Sequence, residues 1–254
     1  MSITRLVGLE LETEGLSLYD LGEGTYWDYH EEPSLRGDHA EFVLKDPLKG
    51  RKLNSSLAEL HTHLLDERIY LSDRCSLHVH VDVRDLTKKE IYNVCLAYSL
   101  FEQALYELSG KRNYSKYCVP LSMSSSLQRN VASLYDGTNT ADRGSRYGGL
   151  NLDAVNKFGS LEFRMHKGSL DVKAILEWCQ VLHDLVSNTY TLDPHAILLK
   201  GSTQERLVEF ADEIFYSSLV KSYLVSERYS WRNYDTKTSE QIHLLALRGR
   251  NNGY

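Results

Sequence analysis

The sequence predicts an α+β fold built on a mainly antiparallel sheet. Three observations carry this. The first two-thirds hold short runs that alternate apolar and polar residues, with helices inserted between them; the last part reads as helix after helix; and no regular βα repetition demands a doubly wound parallel sheet. Length and composition agree, since 254 residues, 42% hydrophobic and 25% charged, suit a globular chain that buries a core without staples.

Residues 5–12, RLVGLELE, alternate as a strand, and residues 40–44, AEFVL, form a second that the loop DPLKG closes. Residues 53–69 predict a helix with Leu53, Leu57, Leu60 and Leu64 on one face. Residues 75–83, CSLHVHVDV, are a valine-rich strand. A helix over 88–109 follows, opened by a capping box of Thr87 and Glu90 and stopped by Gly110. Residues 118–145 are rich in Ser, Asn and Gly around one short helical stretch, as a lid or binding loop would be. Residues 146–152 and 159–166 read as strands. From 171 the pattern turns helical, with Asp171 as a cap and Ser202–Glu205 and Thr238–Gln241 as further capping boxes, and GRNNGY reads as a frayed tail. Residues 1–254 are thus expected as one domain with a helical extension at about 200–248.

Several function classes are disfavoured. A net charge of -6 argues against a general nucleic-acid binder, which needs a basic footprint. Cys75, Cys95, Cys118 and Cys179 form no CxxC pair and read as reduced core residues of a cytoplasmic protein. The start, MSITRLVGLELETEG, has no apolar signal-peptide region, and no apolar run reaches membrane-spanning length. No GxxxxGK[ST] or Gly-rich helix opening supports a P-loop or Rossmann reading.

Three strands share an unusual feature. Side chains at i and i+2 leave a strand on one face. Gly8, Glu10 and Glu12 oppose Val7, Leu9 and Leu11; Ser76, His78, His80 and Asp82 oppose Leu77, Val79, Val81 and Val83; Ser160, Glu162, Arg164 and His166 oppose Leu161, Phe163 and Met165. A merely solvated face would also carry Lys and Thr. Here the polar positions are mostly Glu, His, Arg and Asp, and paired glutamates repel one another without a compensating cation. Carboxylates suit Mg²⁺, imidazole widens the choice toward Mn²⁺, and arginine's planar fork suits phosphate oxygens. Glu10, Glu12, His80, Glu162 and Arg164 are therefore expected to converge on one cleft and to serve phosphoryl chemistry.

The stretches GLELE, EFVLKDPL, CSLHVHVD, LSGKRNYSKYC, RYGGLNL and GSLEFRMHKGSLD occur in that order. Together, over roughly residues 5 to 190, they resemble the amidoligase family, a branch of the glutamine synthetase and glutamate–cysteine ligase superfamily. The resemblance implies a glutamine-synthetase-like catalytic domain whose antiparallel sheet lines a cleft for ATP and divalent ions, Mg²⁺ or Mn²⁺, with helices on the other face. It implies an ATP-dependent carboxylate–amine ligase that forms an amide through an acyl phosphate, acting on small-molecule or peptide carboxylates and amines. It further implies that Glu10, Glu12, Glu41, His80 and Glu162 bind metal. His78 would contact metal or phosphate, Arg164 phosphate, and Arg146 and Asn151 phosphate or substrate, while Arg112 would face the site. The family's aspartate–glycine–serine stretch before Glu41 is replaced here by EEPSLRGDHAEF.

Two other chemistries compete. A zinc-type hydrolase would use His78-x-His80 with His166 as third ligand, which leaves GLELE and LEFR unexplained. A non-catalytic ATP- and metal-binding protein on the same fold would have little use for the full set of glutamates. His61 and His63 diverge on their predicted helix; His183, His195 and His243 lack ligand-spaced partners; Trp27 and Trp178 read as core aromatics.

Overall fold

In the computed structural model, residues 2–137 and 147–229 are described. Six strands form one antiparallel sheet: β1 (Val7–Glu14), β2 (Trp27–His30), β3 (His39–Leu44), β4 (Leu77–Asp82), β5 (Leu150–Asn151) and β6 (Ser160–His166), in the order β2-β3-β1-β4-β6-β5. The described residues also form eight helices: α1 (Gly50–Leu64), α2 (Lys88–Leu108), α3 (Ser125–Tyr135), α4 (Asp153–Phe158), α5 (Val172–Thr189), α6 (Pro194–Lys200), α7 (Gln204–Ile214) and α8 (Leu219–Leu224). The expected α+β class with a mainly antiparallel sheet is what the chain adopts.

The period of two decides the layering. Val7, Leu9, Leu11, Leu77, Val79, Val81, Leu161 and Phe163 are all essentially inaccessible. Side chains of this size are each worth about 1.5–3 kcal/mol on burial. Behind them α5 crosses β4 and α2 crosses β6. On the β2 side, Trp27 sends its indole N–H to the Ser56 carbonyl of α1 at 2.8 Å. The capping box opens α2 as expected, with Thr87 N–H donating to the Glu90 carboxylate at 2.7 Å and Glu90 N–H to the Thr87 hydroxyl at 3.3 Å. Helices α3, α6 and α8 pack against α2, so among the described residues of the helical extension α8 covers part of it. The four cysteines are free and buried, and both Trp27 and Trp178 lie in the core.

Several elements differ from expectation. The first helix stops at Leu64 rather than at 69, because Tyr70 pairs with Glu14 and extends the sheet instead. Strand β2 and helix α4 were not foreseen; β2 is a four-residue edge strand that exists through its pairing with β3, and α4 is a single six-residue turn. The strand expected at 146–152 is reduced to Leu150–Asn151. Thr203, not Ser202, caps α7, since its hydroxyl accepts from Arg206 N–H while Ser202 donates back to Leu199 O. Thr238, Gln241, His243 and the GRNNGY tail lie outside the described residues.

His183 is structural. Its Nε2 accepts from Thr4 N–H at 3.1 Å and its Nδ1 meets Asp184 at 3.1 Å, while the other Asp184 oxygen accepts from Tyr216 N–H at 3.0 Å. The network ties the approach to β1 and the segment before α8 onto α5. Among the described residues no helix is long and apolar enough to cross a membrane.

Two substitutions test this layering. Leu9→Asp drives a carboxylate into the interior and should abolish the cooperative unfolding transition. Thr87→Ala removes one cap and should cost about 1 kcal/mol while keeping that transition. Urea denaturation followed by circular dichroism separates the two, and a well-folded Leu9→Asp would show that this face is not the core.

Candidate active site

The polar face of the sheet is assembled by register. Gly8 lies opposite His80, Glu10 lies between Val43 and His78, Glu12 is opposite Glu41, and His80 is opposite Glu162. Directly opposed residues share a face, so strands β3, β1, β4 and β6 bring Glu41, Glu10, Glu12, His78, His80 and Glu162 together.

Each carboxylate is held. Glu10 sits between two imidazoles, His78 Nδ1 at 2.9 Å and His80 Nε2 at 3.2 Å. Glu12 accepts from Ser76 twice, from its backbone N–H at 2.7 Å and from its hydroxyl at 2.5 Å. The same hydroxyl lies 2.9 Å from His78 Nε2. Glu162 accepts from Arg164 Nη1 and from Asn151 Nδ2, the latter at 2.5 Å. His80 Nδ1 is 3.0 Å from the Ser160 hydroxyl. Arg164 Nη1 also approaches His78 Nδ1 at 3.5 Å. That nitrogen already gives its proton to Glu10, so the approach is a contact rather than a hydrogen bond. Gly8 makes room for the His80 ring, since a Cβ there would lie 3.3 Å from His80 Cβ.

The charges do not balance. Burial alone would raise the Glu10 carboxyl, but the His78 and His80 hydrogen bonds outweigh it and hold Glu10 well below the usual range. Burial lowers His80, yet its bond to Glu10 and the charges of Glu162 and Glu10 raise it overall. Burial likewise opposes the charge on Arg164, and Glu162 more than offsets this. Among the described residues no cation hydrogen-bonds Glu41, and the charge of Arg164 only partly offsets its surroundings. Burial, with the charges of Glu10, Glu12 and Glu32, pushes its carboxyl up to about 8. Ligand atoms lie within 4.8 Å of one another in three overlapping groups: Glu10–Glu41–His78, Glu10–His80–Glu162 and Glu12–Glu32–Glu41. An oxygen-rich donor set with an uncompensated carboxyl is one that hard divalent cations fit. Among the described residues, the buried Arg164 Nε has no hydrogen-bond partner, an orphan donor suited to an anionic oxygen.

Other expected site residues stand elsewhere or act differently. Asn151 spends its amide on Glu162 and its carbonyl on Asp153 N–H at 2.9 Å, so it orients a carboxylate here. Arg112 donates to the His166 backbone carbonyl at 3.2 Å and, among the described residues, pairs with none of the site glutamates. Arg146 lies outside the described residues.

His166 leaves the polar face altogether. The β4–β6 register slips, so that Val79 faces Phe163 but Leu77 faces His166. This bulge inserts one residue into β6 and reverses the parity beyond it. The His166 ring packs at 5.3 Å from Trp178 of α5, and burial pulls its imidazole down to about 4. A three-histidine zinc set therefore does not assemble.

Glu32 is the member of this cluster that the sequence did not disclose. Its only signal was its place in the EEPSL stretch that stands where the resembling family carries an acid, and the fold of the β2–β3 connection brings it to Glu12 and Glu41. A cavity of about 650 Å³ lies between α1, α5 and residues 216–218 and holds none of these groups. A smaller pocket of about 270 Å³ adjoins Glu10 and His80. Donor chemistry, rather than size, locates the site.

Residues 40–186 match the model of a family described as "Putative amidoligase enzyme". The match covers more than half of the chain and takes in Glu41, His78, His80, Asn151, Glu162 and Arg164, while Glu10, Glu12 and Glu32 precede it. No curated protein matches the chain.

The raised carboxyl of Glu41 has a measurable consequence. An acid whose folded pKa lies above its unfolded value keeps a proton that the unfolded chain releases, so it costs stability as pH rises from about 4.5 to about 8. In chelator-treated protein, Glu41→Gln should therefore melt above wild type at pH 8, with the gap shrinking toward pH 5. A gap that stays constant across this range would refute the assignment.

Proposed function

The chain belongs to this amidoligase family, and from that premise we propose that it is an ATP-dependent carboxylate–amine ligase. In this reading a substrate carboxylate takes the γ-phosphoryl group of ATP, and an amine then displaces phosphate, leaving an amide, ADP and phosphate. The observation that carries it is the crowding of Glu10, Glu12, Glu41 and Glu162 on one sheet face beside an arginine whose buried Nε lacks a partner.

The site residues divide the work. Glu10, Glu12, Glu41, His80 and Glu162, with Glu32 added, would hold Mg²⁺ or Mn²⁺. Bound divalent ions would supply charge neutralisation and a template for phosphate oxygens. Arg164, already tied to Glu162 through Nη1, offers its remaining N–H groups to phosphate. His78, Ser76 and Asn151 are positioning residues, because each bonds to a carboxylate and fixes where its oxygens point. Arg146 remains assigned to phosphate or substrate on resemblance alone, and Arg112 is placed one step back from the reacting groups.

The same proposal takes the antiparallel sheet with its carboxylate-lined face as a glutamine-synthetase-like catalytic domain, and residues 1–254 as one such domain. Free, buried cysteines accord with a cytoplasmic location. The substrates are a small-molecule or peptide carboxylate and an amine.

The test is ADP release with Mg²⁺ over paired acids and amines, with melting temperature measured alongside. Glu10→Gln and Glu162→Gln should abolish turnover while remaining folded. Arg164→Lys should lower it by about 10²-fold or more, the scale expected for loss of one charge-stabilising donor. Near-normal turnover in Glu10→Gln or Glu162→Gln would sink the metal-cleft reading. MgATP binding without ADP release for any pair would indicate a binding protein instead.

A further inference from the structure

The polar face does not end at the carboxylates. Toward the start of β1 it runs into the pocket of about 270 Å³, which Glu10 and His80 line in part. Its walls change character there. Val43 has the same parity as Glu10 and Glu41, so β3 places an isopropyl group beside the carboxylates on this face. Pro47 and Phe158 also line it.

Phe158 is 64% exposed, a large apolar surface left open beside charged groups. It is nevertheless held in place. Its ring meets His80 edge-on, with centroids 5.8 Å apart at 85°. It ends α4, and Gly159 follows at φ +68°, where a Cβ would lie 2.2 Å from Arg84 Cγ. Only glycine permits both that turn and the passage of Arg84, whose Nε binds Asp82 at 2.7 Å. The result is a pocket in which Val43, Pro47 and Phe158 share the lining with Glu10, Lys45 and His80.

Its size limits the occupant. Pockets for drug-sized ligands run to about 300–1,000 Å³. At about 270 Å³ the slot suits one amino-acid-sized group rather than a nucleoside triphosphate.

We propose that this pocket selects the small substrate by a compact aromatic or branched apolar group, packed between Val43, Pro47 and Phe158, with the reacting carboxyl or amino group at the Glu10–His80 end. That the occupant is a substrate rests on the ligase reading; that the slot binds such a group does not.

The experiment is isothermal titration of the full chain, with Mg²⁺ present, using phenylacetate, benzylamine and phenylalanine against acetate, ethylamine and serine. At least one aromatic probe should bind tenfold or more tightly than its polar or short counterpart. Phe158→Ala should remove about that preference, a tenfold loss or greater for a buried aromatic contact. Leu199→Ala, an exposed apolar position on α6, should change nothing. Which probe binds, the acid or the amine, tells which substrate the slot takes.

Failure to bind any aromatic probe, or a preference that survives Phe158→Ala, overturns the proposal. ADP release on the same samples keeps the two readings apart. Phe158-dependent binding without ADP release in any pair would leave the slot and remove the ligase. ADP release indifferent to Phe158→Ala would leave the ligase and overturn the slot's role in selecting its substrate.

Discussion

Repulsion between carboxylates is the constraint on which this structure turns. Glu10, Glu12, Glu32, Glu41 and Glu162 gather where neighbouring strands are only about 5 Å apart. The protein answers with His78, His80 and Arg164 and leaves Glu41 without a cation of its own. The uncompensated Glu41 carboxyl costs stability on this face. It is tolerated because the opposite face of the same strands is buried against α2 and α5, and that burial carries the stability.

Rigidity follows from the same division. The site side chains stand on strands, and the hydrogen bonds that orient them come from residues with matching parity. Ser76 holds Glu12, Ser160 meets His80, and Asn151 reaches Glu162 from the short edge strand β5. Small side chains are used where a ring or chain must pass: Gly8 beneath His80 and Gly159 beneath Arg84. A donor set held by neighbours in this way can receive a cation or phosphate with little rearrangement.

The two ends of the polar face differ. Near Ser76 and Arg164 it is almost wholly polar, with a buried guanidinium nitrogen awaiting an acceptor. Near Gly8 and Val43 the carboxylates give way to an apolar wall and an exposed phenyl ring.

Much of this was legible in one dimension. Alternation placed Glu10, Glu12, His78, His80, Glu162 and Arg164 opposite Leu9, Val79 and Phe163 because strand periodicity is local and strict. The cap at Thr87, the long buried helix after it and the helical end were local signals too. Long-range pairing decided the rest. His166 had the right parity in sequence and lost it to a bulge that appears only when β6 is laid against β4. Glu32 reached the cluster through the fold of an irregular connection, and Asn151 found a carboxylate partner rather than open solvent. Strand β2 exists because β3 offers it an edge. The sequence by itself determined which faces are polar, since that requires only the backbone's period. Which polar groups meet, and which remain uncompensated, was decided by register between strands distant in the chain.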